Sequence, residues 1–304
     1  MRILSCLLIL MLNIVLPARA GTPVLPSHPL ENKIVDANGK VMSESQLVAA
    51  VRRHAYVFLG EKHDNPIHHQ IELRLIQARV DEGADAGSVV FEMLDDSQDA
   101  RLAQLKATDD LPSMKQTLQW PDKPGSWDWA VYSPLFQATL SKQALRSGNI
   151  SKALISSVYR EGAQKLQNQE RFSTVFAATP AVKDYLLDQI FKAHCGMQSK
   201  DGLTPMLNIQ LAKDASMASA MRQVGRAMLI AGGEHVRAET GAPWHLRHVL
   251  PASDAIVIQL VEVKTGQDDI VTYIKDAGRA DYYWLTEATP EKDYCAGVKG
   301  KAAQ

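Results

Sequence analysis

Short apolar runs alternate along this chain with longer stretches in which apolar residues recur every three or four positions. The runs "YVFLGE", "GSVVFEM", "KALISSV", "AMLIAGGEH", "AIVIQLVE" and "ADYYWLT" are rich in branched and aromatic residues and bounded by glycine or polar residues, which predicts strands. Their apolar character is continuous, the pattern of strands covered on both faces. Between several of them the spacing is helical. After Asn65-Pro66, for example, Ile67, Ile71, Leu75 and Ala78 fall on one stripe, with Glu72 and Arg74 directed elsewhere. The expected fold class is α/β, an open parallel β-sheet flanked by helices.

Two connections are longer than a crossover of one helix and short loops. Residues 94–148 contain a polar helical segment, the loop "WPDKPGSWDWAVY", and a helix opened by Ser133 as cap and Pro134 as first residue. Residues 160–225 carry several helical patterns, among them "AVKDYLLDQIFKAH" and "NIQLAKDASMASAMRQVG", and predict a smaller α-helical subdomain beside the sheet.

The first twenty residues change the picture of where the protein works. "MRILSCLLILMLNIVLPARA" has an early arginine, an apolar run broken by Asn13, and the small-residue pattern Ala18-Arg19-Ala20, the signature of a secretory signal peptide cleaved after Ala20. A membrane anchor needs about 18–20 apolar residues, and Cys6 comes too early in the run to accept a lipid. Residues 21–304 are thus expected as a soluble, exported, periplasmic α/β unit with its helical lobe. Loss of the two signal arginines takes the formal charge from -1 to -3, which disfavours nucleic acid as a partner. In an oxidising compartment Cys195 and Cys295 predict a disulfide. Two separately buried thiols are the alternative, because bonding needs α-carbons within about 7 Å.

Polar clusters stand at the C-terminal ends of three predicted strands: "GEKHDN" after the first, Glu92 ending "VVFEM", and "GGEH" at residues 232–235. Ligands of open parallel sheets collect at that edge, so Glu61, His63, Glu92, Glu234 and His235 are candidates to line one cleft. Gly60 and residues 232–233 would let the backbone turn and approach a ligand there. For His63 or His235 alone a packing role competes with a functional one; the recurrence of Gly-x-x-His at two strand ends decides for function. His68 and His69 are expected to cover a surface, and Asp64 to make a turn or cap a helix. In "SWDWAVYSPLF" the tryptophans are expected to plug the gap between sheet and helical lobe, whereas Tyr132 has the chemistry of an axial ligand to ferric haem iron. Phosphate loops, dinucleotide fingerprints, a serine nucleophile elbow, a His-Glu-x-x-His helix and Cys-x-x-Cys pairs are absent from the sequence.

Taken in order, "LGEKHDNPIHHQIELRLI", "VVFEML", "WDWAVYSPLF", "AKDASMASAM", "LIAGGEHVRAETGAPWHL" and "ADYYWLT" resemble the ChaN-type haem-binding proteins of bacterial haem uptake, part of a wider group with Tiki, TraB and erythromycin-esterase-like proteins. The resemblance spans nearly the whole chain after the leader. It implies a parallel sheet with a small helical domain, and ferric haem held between two protomers: a tyrosine of one ligates iron while a histidine and a lysine of the other hold propionates. Carried onto this sequence, Tyr132 is the ligand and Lys62 and His63 are the propionate partners, with His235 as second choice and Glu61 and Glu92 beside them. A lysine, Lys213, and a serine, Ser157, stand where the resemblance leads one to expect arginine and asparagine. The implied role is capture and release of haem, with a homodimer formed on binding and an outer-membrane haem receptor system as partner, and no catalysis. The alternative is a hydrolase of the esterase-like type, in which His63 activates water, Glu92 or Glu61 orients it, and His235 acts as acid or metal ligand. A structural partner without ligand chemistry would leave the polar strand ends unexplained.

Overall fold

The structure, a computed structural model, describes residues 28–80, 87–141, 143–290, 292–293 and 295–296. The expected leader at residues 1–20 lies outside them. The strands are β1 (Ile34–Asp36), β2 (Val41–Met42), β3 (Tyr56–Glu61), β4 (Ser88–Asp95), β5 (Ala144–Asn149), β6 (Ala227–Gly232), β7 (Ala255–Glu262) and β8 (Tyr282–Thr286). The α-helices are α1 (Glu44–Arg53), α2 (Pro66–Val80), α3 (Asp99–Leu102), α4 (Leu111–Leu118), α5 (Trp129–Leu140), α6 (Lys152–Glu161), α7 (Pro180–Ala193), α8 (Thr204–Val224), α9 (Ala242–Val249) and α10 (Ile270–Ala277).

The strands form one eight-stranded sheet in the order β2-β1-β8-β7-β3-β6-β4-β5. From β8 to β5 every pairing is parallel, as expected, and the sheet is flanked by helices. The β1–β2 hairpin adds an antiparallel edge that the sequence reading did not anticipate. Its strands are too short for a period to be read from them. Successive residues of a strand face opposite sides, and this divides the core. Val57, Leu59, Val89, Phe91, Met228 and Ile230 pack under α1, α2 and α5, while Tyr56, Phe58, Val90, Leu229 and Val257 pack under α8 and α9. A separate apolar cluster, including Phe172, Leu186, Leu207 and Leu211, fills the helical segment between α6 and β6.

Local chemistry sets the helix ends. Ser43 and Gln46 close a reciprocal capping box on α1. The Asn65 side chain, rather than that of Asp64, accepts the Ile67 and His68 amides at the start of α2, with Pro66 as the first helical residue. Gly225, at φ 72°, ends α8 in the left-handed region. Two expectations are corrected. "KALISSV" is helix α6, because Ser151 caps it through the Leu154 amide, and the edge strand β5 lies just before it. Helix α5 starts at Trp129 under the cap of Asp128, whose carboxylate accepts from the Ala130 amide, so Pro134 lies inside the helix.

Among the described residues no helix is long and apolar enough to cross a membrane. Cys195 and Cys295 are joined in a disulfide, with α-carbons 5.7 Å apart. It ties the turn after α7 to the C-terminal segment across a sequence separation of 100 residues. Closing so long a loop in the unfolded chain predicts that Cys195→Ala with Cys295→Ala lowers the unfolding free energy by about 2–4 kcal/mol, read as a lower urea midpoint that reduction of the wild type reproduces.

Candidate functional site

Strand β6 inserts between β3 and β4, so segments distant in sequence end side by side. Glu61 closes β3, Glu92 lies in β4, and His235 follows β6 in a short 3-10 turn. The backbones must run close. A β-carbon on Gly232 would fall 2.7 Å from His63 Nε2, and one on Gly60 would fall 2.3 Å from Val236 Cγ2. Neither glycine has a positive φ. Their smallness serves side-chain packing, in place of the sharp turn expected from the sequence.

The candidates brought together form an alternating row of carboxylates and imidazoles. His235 Nδ1 lies 2.5 Å from Asp214 Oδ1 on α8, and its Nε2 lies 3.2 Å from Glu92 Oε1. Glu92 Oε2 accepts the Gly232 amide at 2.9 Å and stands 3.6 Å from His63 Nε2. His63 Nδ1 meets Glu61 Oε1 at 2.9 Å, and the Tyr132 hydroxyl donates to the same oxygen at 3.0 Å. His69 Nε2 reaches Glu61 Oε2 at 2.7 Å. Glu61, Glu92, Asp214, His235 and Tyr132 are buried; His63 keeps about a third of its side chain exposed.

Each charge in this row is supported by its neighbours. Burial opposes ionisation of Glu61, but the hydrogen bond with His63 and the charges of His63 and His69 more than offset it and hold the carboxyl down at about 2. Glu92 is likewise driven well below the usual carboxylate range: burial resists, and His235 and His63 prevail. Burial disfavours the His235 imidazolium, yet Glu92 and Asp214 push its pKa up to about 10. Tyr132 moves the other way. Burial, then the charges of Glu61 and Glu72, push its phenol far above the ordinary tyrosine value.

Several placements differ from the sequence reading. Lys62 and His63 do not face one cleft. Lys62 turns over β7, 2.8 Å from Glu262 Oε2 and 2.5 Å from Thr289 Oγ1, whereas His63 turns over β6. Glu234 is half-exposed and accepts from the Tyr185 hydroxyl, outside the row. His68 covers no surface: it is fully buried, accepts the Lys62 amide at Nδ1 and contacts Thr286 Oγ1 through Nε2, with burial lowering its pKa to about 4. His69 points at Glu61, and Glu72, expected to face away from the buried stripe, is fully buried. The tryptophans divide. Trp129 packs on Trp120 and Phe136, while the Trp127 ring lies 4.6 Å from the His63 ring. Asp214 was missed, although an acid among the small residues of "AKDASMASAM" is the signal of a buried, paired carboxylate.

Beside the row a groove of about 520 Å³ opens. Met93, Leu118, Trp120, Trp127 and Ile155 give it apolar walls, Glu92 lies at its floor, and Arg101, Lys152 and Lys213 bring cations to it. That volume falls within the range of about 300–1,000 Å³ typical of small-molecule and cofactor sites.

The buried imidazolium sets a pH limit. A group whose folded pKa lies above its unfolded value of 6.5 contributes fully below that pH and loses the contribution as pH rises toward 10. The unfolding free energy from urea titrations should therefore decline between pH 6.5 and 10, and His235→Gln should flatten this decline while lowering stability at pH 6.

Comparison with known proteins gives no match among curated proteins. Among solved structures, ChaN of Campylobacter jejuni, described with cofacial haem binding, superposes with a TM-score of 0.69 at 23% identity, over 84% of this chain and 97% of that one. The type III effector HopBA1 gives a TM-score of 0.42 at 16% identity, over 80% and 92% of the two chains. The erythromycin esterase EreC in its open conformation gives 0.38 at 11% identity, over 85% and 82%. Residues 47–246 match the family described as haem-binding uptake, Tiki superfamily, ChaN. With two thirds of its length inside that match and the fold of the Campylobacter protein, the chain belongs to the ChaN haem-binding uptake family.

Proposed function

We propose that this protein is an exported, periplasmic carrier that binds ferric haem in the groove beside Glu92 and releases it without turnover. The observation that carries this reading is the meeting of indole walls and cations in one groove at the C-terminal edge of the sheet. Trp120 and Trp127 would cover an apolar macrocycle. Arg101, Lys152 and Lys213 would meet its carboxylates by charge-assisted hydrogen bonds. His63, part-exposed, keeps a role beside the groove residue Trp127. In this reading the propionate role does not fall to Lys62, which is engaged by Glu262 and Thr289, or to His235, which is closed between Asp214 and Glu92.

In this reading the tyrosine donor is a residue other than Tyr132. A tyrosinate is a hard anionic ligand suited to ferric iron, and Tyr132 is held in the opposite state, a buried phenol donating to Glu61. We assign the donor to Tyr159, which is 52% exposed and lies one helical turn beyond the groove residue Ile155 on α6. Phe176 is exposed as well. Exposed apolar surface of this kind supports closure by a second copy, and a ligand held only by the dimer would drive dimerisation by mass action. The Cys195–Cys295 disulfide supports export, since such bonds persist in oxidising compartments. An outer-membrane haem receptor system is the proposed source.

A hemin titration followed in the Soret and charge-transfer regions tests the assignment. Tyr159→Phe should abolish a tyrosinate-type spectrum, Tyr132→Phe should retain it, and Lys213→Ala should weaken binding roughly tenfold or more, as loss of a charge-assisted bond does. Loss of the spectrum with Tyr132→Phe alone would return the ligand to the buried site and remove the groove from the reading. Indifference to hemin together with ester cleavage lost in His63→Ala would establish the hydrolase alternative. Sedimentation should show the mass doubling when hemin is added; an unchanged mass refutes the shared site.

A further inference from the structure

Helix α2 aims two side chains that the groove does not use at the end of β3. His69 and Glu72 are three residues apart, hence on one helix face, and both approach Glu61. One ligand atom from each of Glu61, His69 and Glu72 lies within 4.8 Å of the others. Their hydrogen bonding is unfinished. Glu72 is fully buried and neither of its carboxylate oxygens has a hydrogen-bond partner. Glu61 Oε2 and His69 Nε2, although 2.7 Å apart, make no hydrogen bond either, so their contact is misaligned. The other oxygen of Glu61 is already taken by His63 and Tyr132.

A carboxylate buried without a partner is costly, and two side by side more so. The neutralising group is a proton or a cation. We propose that Glu61, His69 and Glu72, none of which lines the groove, form a binding site for a divalent transition-metal ion of the zinc class. Two carboxylates balance a divalent charge, and one imidazole with two carboxylates is a donor set that zinc accepts, with a fourth position left for water. The i, i+3 pairing of histidine and glutamate on a helix is a recurrent way of presenting two ligands to one ion. An outer shell is in place: His63 and Tyr132 fix the far oxygen of Glu61, and the Tyr132 ring stands edge-on to the His69 ring at 5.3 Å. His69 keeps 11% of its side chain exposed, while its Nε2 and the facing carboxylate oxygens are buried.

The test uses the haem-free, full mature chain, titrated with CoCl2 and read by visible d–d absorption, then with ZnCl2 as displacing ion and by calorimetry. We expect one equivalent of Co2+ bound, displaced by Zn2+. Glu72→Gln and His69→Ala should each weaken binding at least tenfold, while Glu72→Gln leaves the hemin titration of the metal-free protein unchanged. No uptake by the wild type would overturn the site, and needs no variant to show it. Metal bound equally well by Glu72→Gln would overturn it too, leaving Glu72 as a protonated carboxyl facing Glu61.

Discussion

A row of acids and imidazoles in alternation holds the C-terminal edge of this sheet: Asp214, His235, Glu92, His63, Glu61 and His69. Every carboxylate comes from a different element, α8, β4 or β3, and the imidazoles come from the turns after β6 and β3 and from α2. The row therefore fastens the helical segment to the sheet and the sheet to α2. Buried charges are expensive when isolated, and removing one partner of a buried pair costs about 3–5 kcal/mol because the other stays behind unpaired. Alternation avoids that cost, and the two small glycines permit it. With a β-carbon at Gly232, His63 could not stand where it does.

Much of this architecture was legible in the sequence because burial on both faces leaves a strong signature. β3, β4, β6 and β7 are continuous apolar runs, and all were read as strands. The failures fall where burial is partial. Strand β5 reads "ALRSGN", with one face of an edge strand exposed, and its apolar neighbour "ALISSV" belongs to helix α6. In α5 the apparent start at Ser133-Pro134 loses to Asp128, because the cap that satisfies an orphan amide outweighs the preference of proline for the first turn.

The site was legible as a set of strand ends and illegible in direction. Glu61, His63, Glu92 and His235 do converge, since the C-terminal edge of a parallel sheet is shared by all its strands. Spacing alone did not tell that Lys62 leans toward β7 while His63 leans toward β6, which follows from their alternate directions off one strand end and from the acceptor Glu262. Nor did it tell that Tyr132 points inward. That depended on the true start of α5, which turns residue 132 toward Glu61. Helix α2 is covered on several sides, so Glu72 and His68 could not be read as buried from one apolar stripe.

The two oxygens of Glu61 join the proposed haem groove to the proposed cation site. Oε1 receives His63 and Tyr132 on the side of the groove, and Oε2 faces His69 and Glu72. A charge placed at either side alters the field at the other through one carboxylate, in a region where buried groups are weakly screened. Any such influence is reciprocal: if the cation changes the grip on the ligand, the ligand changes the grip on the cation by the same factor. With His235 closed between two carboxylates and Tyr132 bonded to Glu61, the group that joins the two sides is His63, the imidazole that both borders Trp127 and touches Glu61.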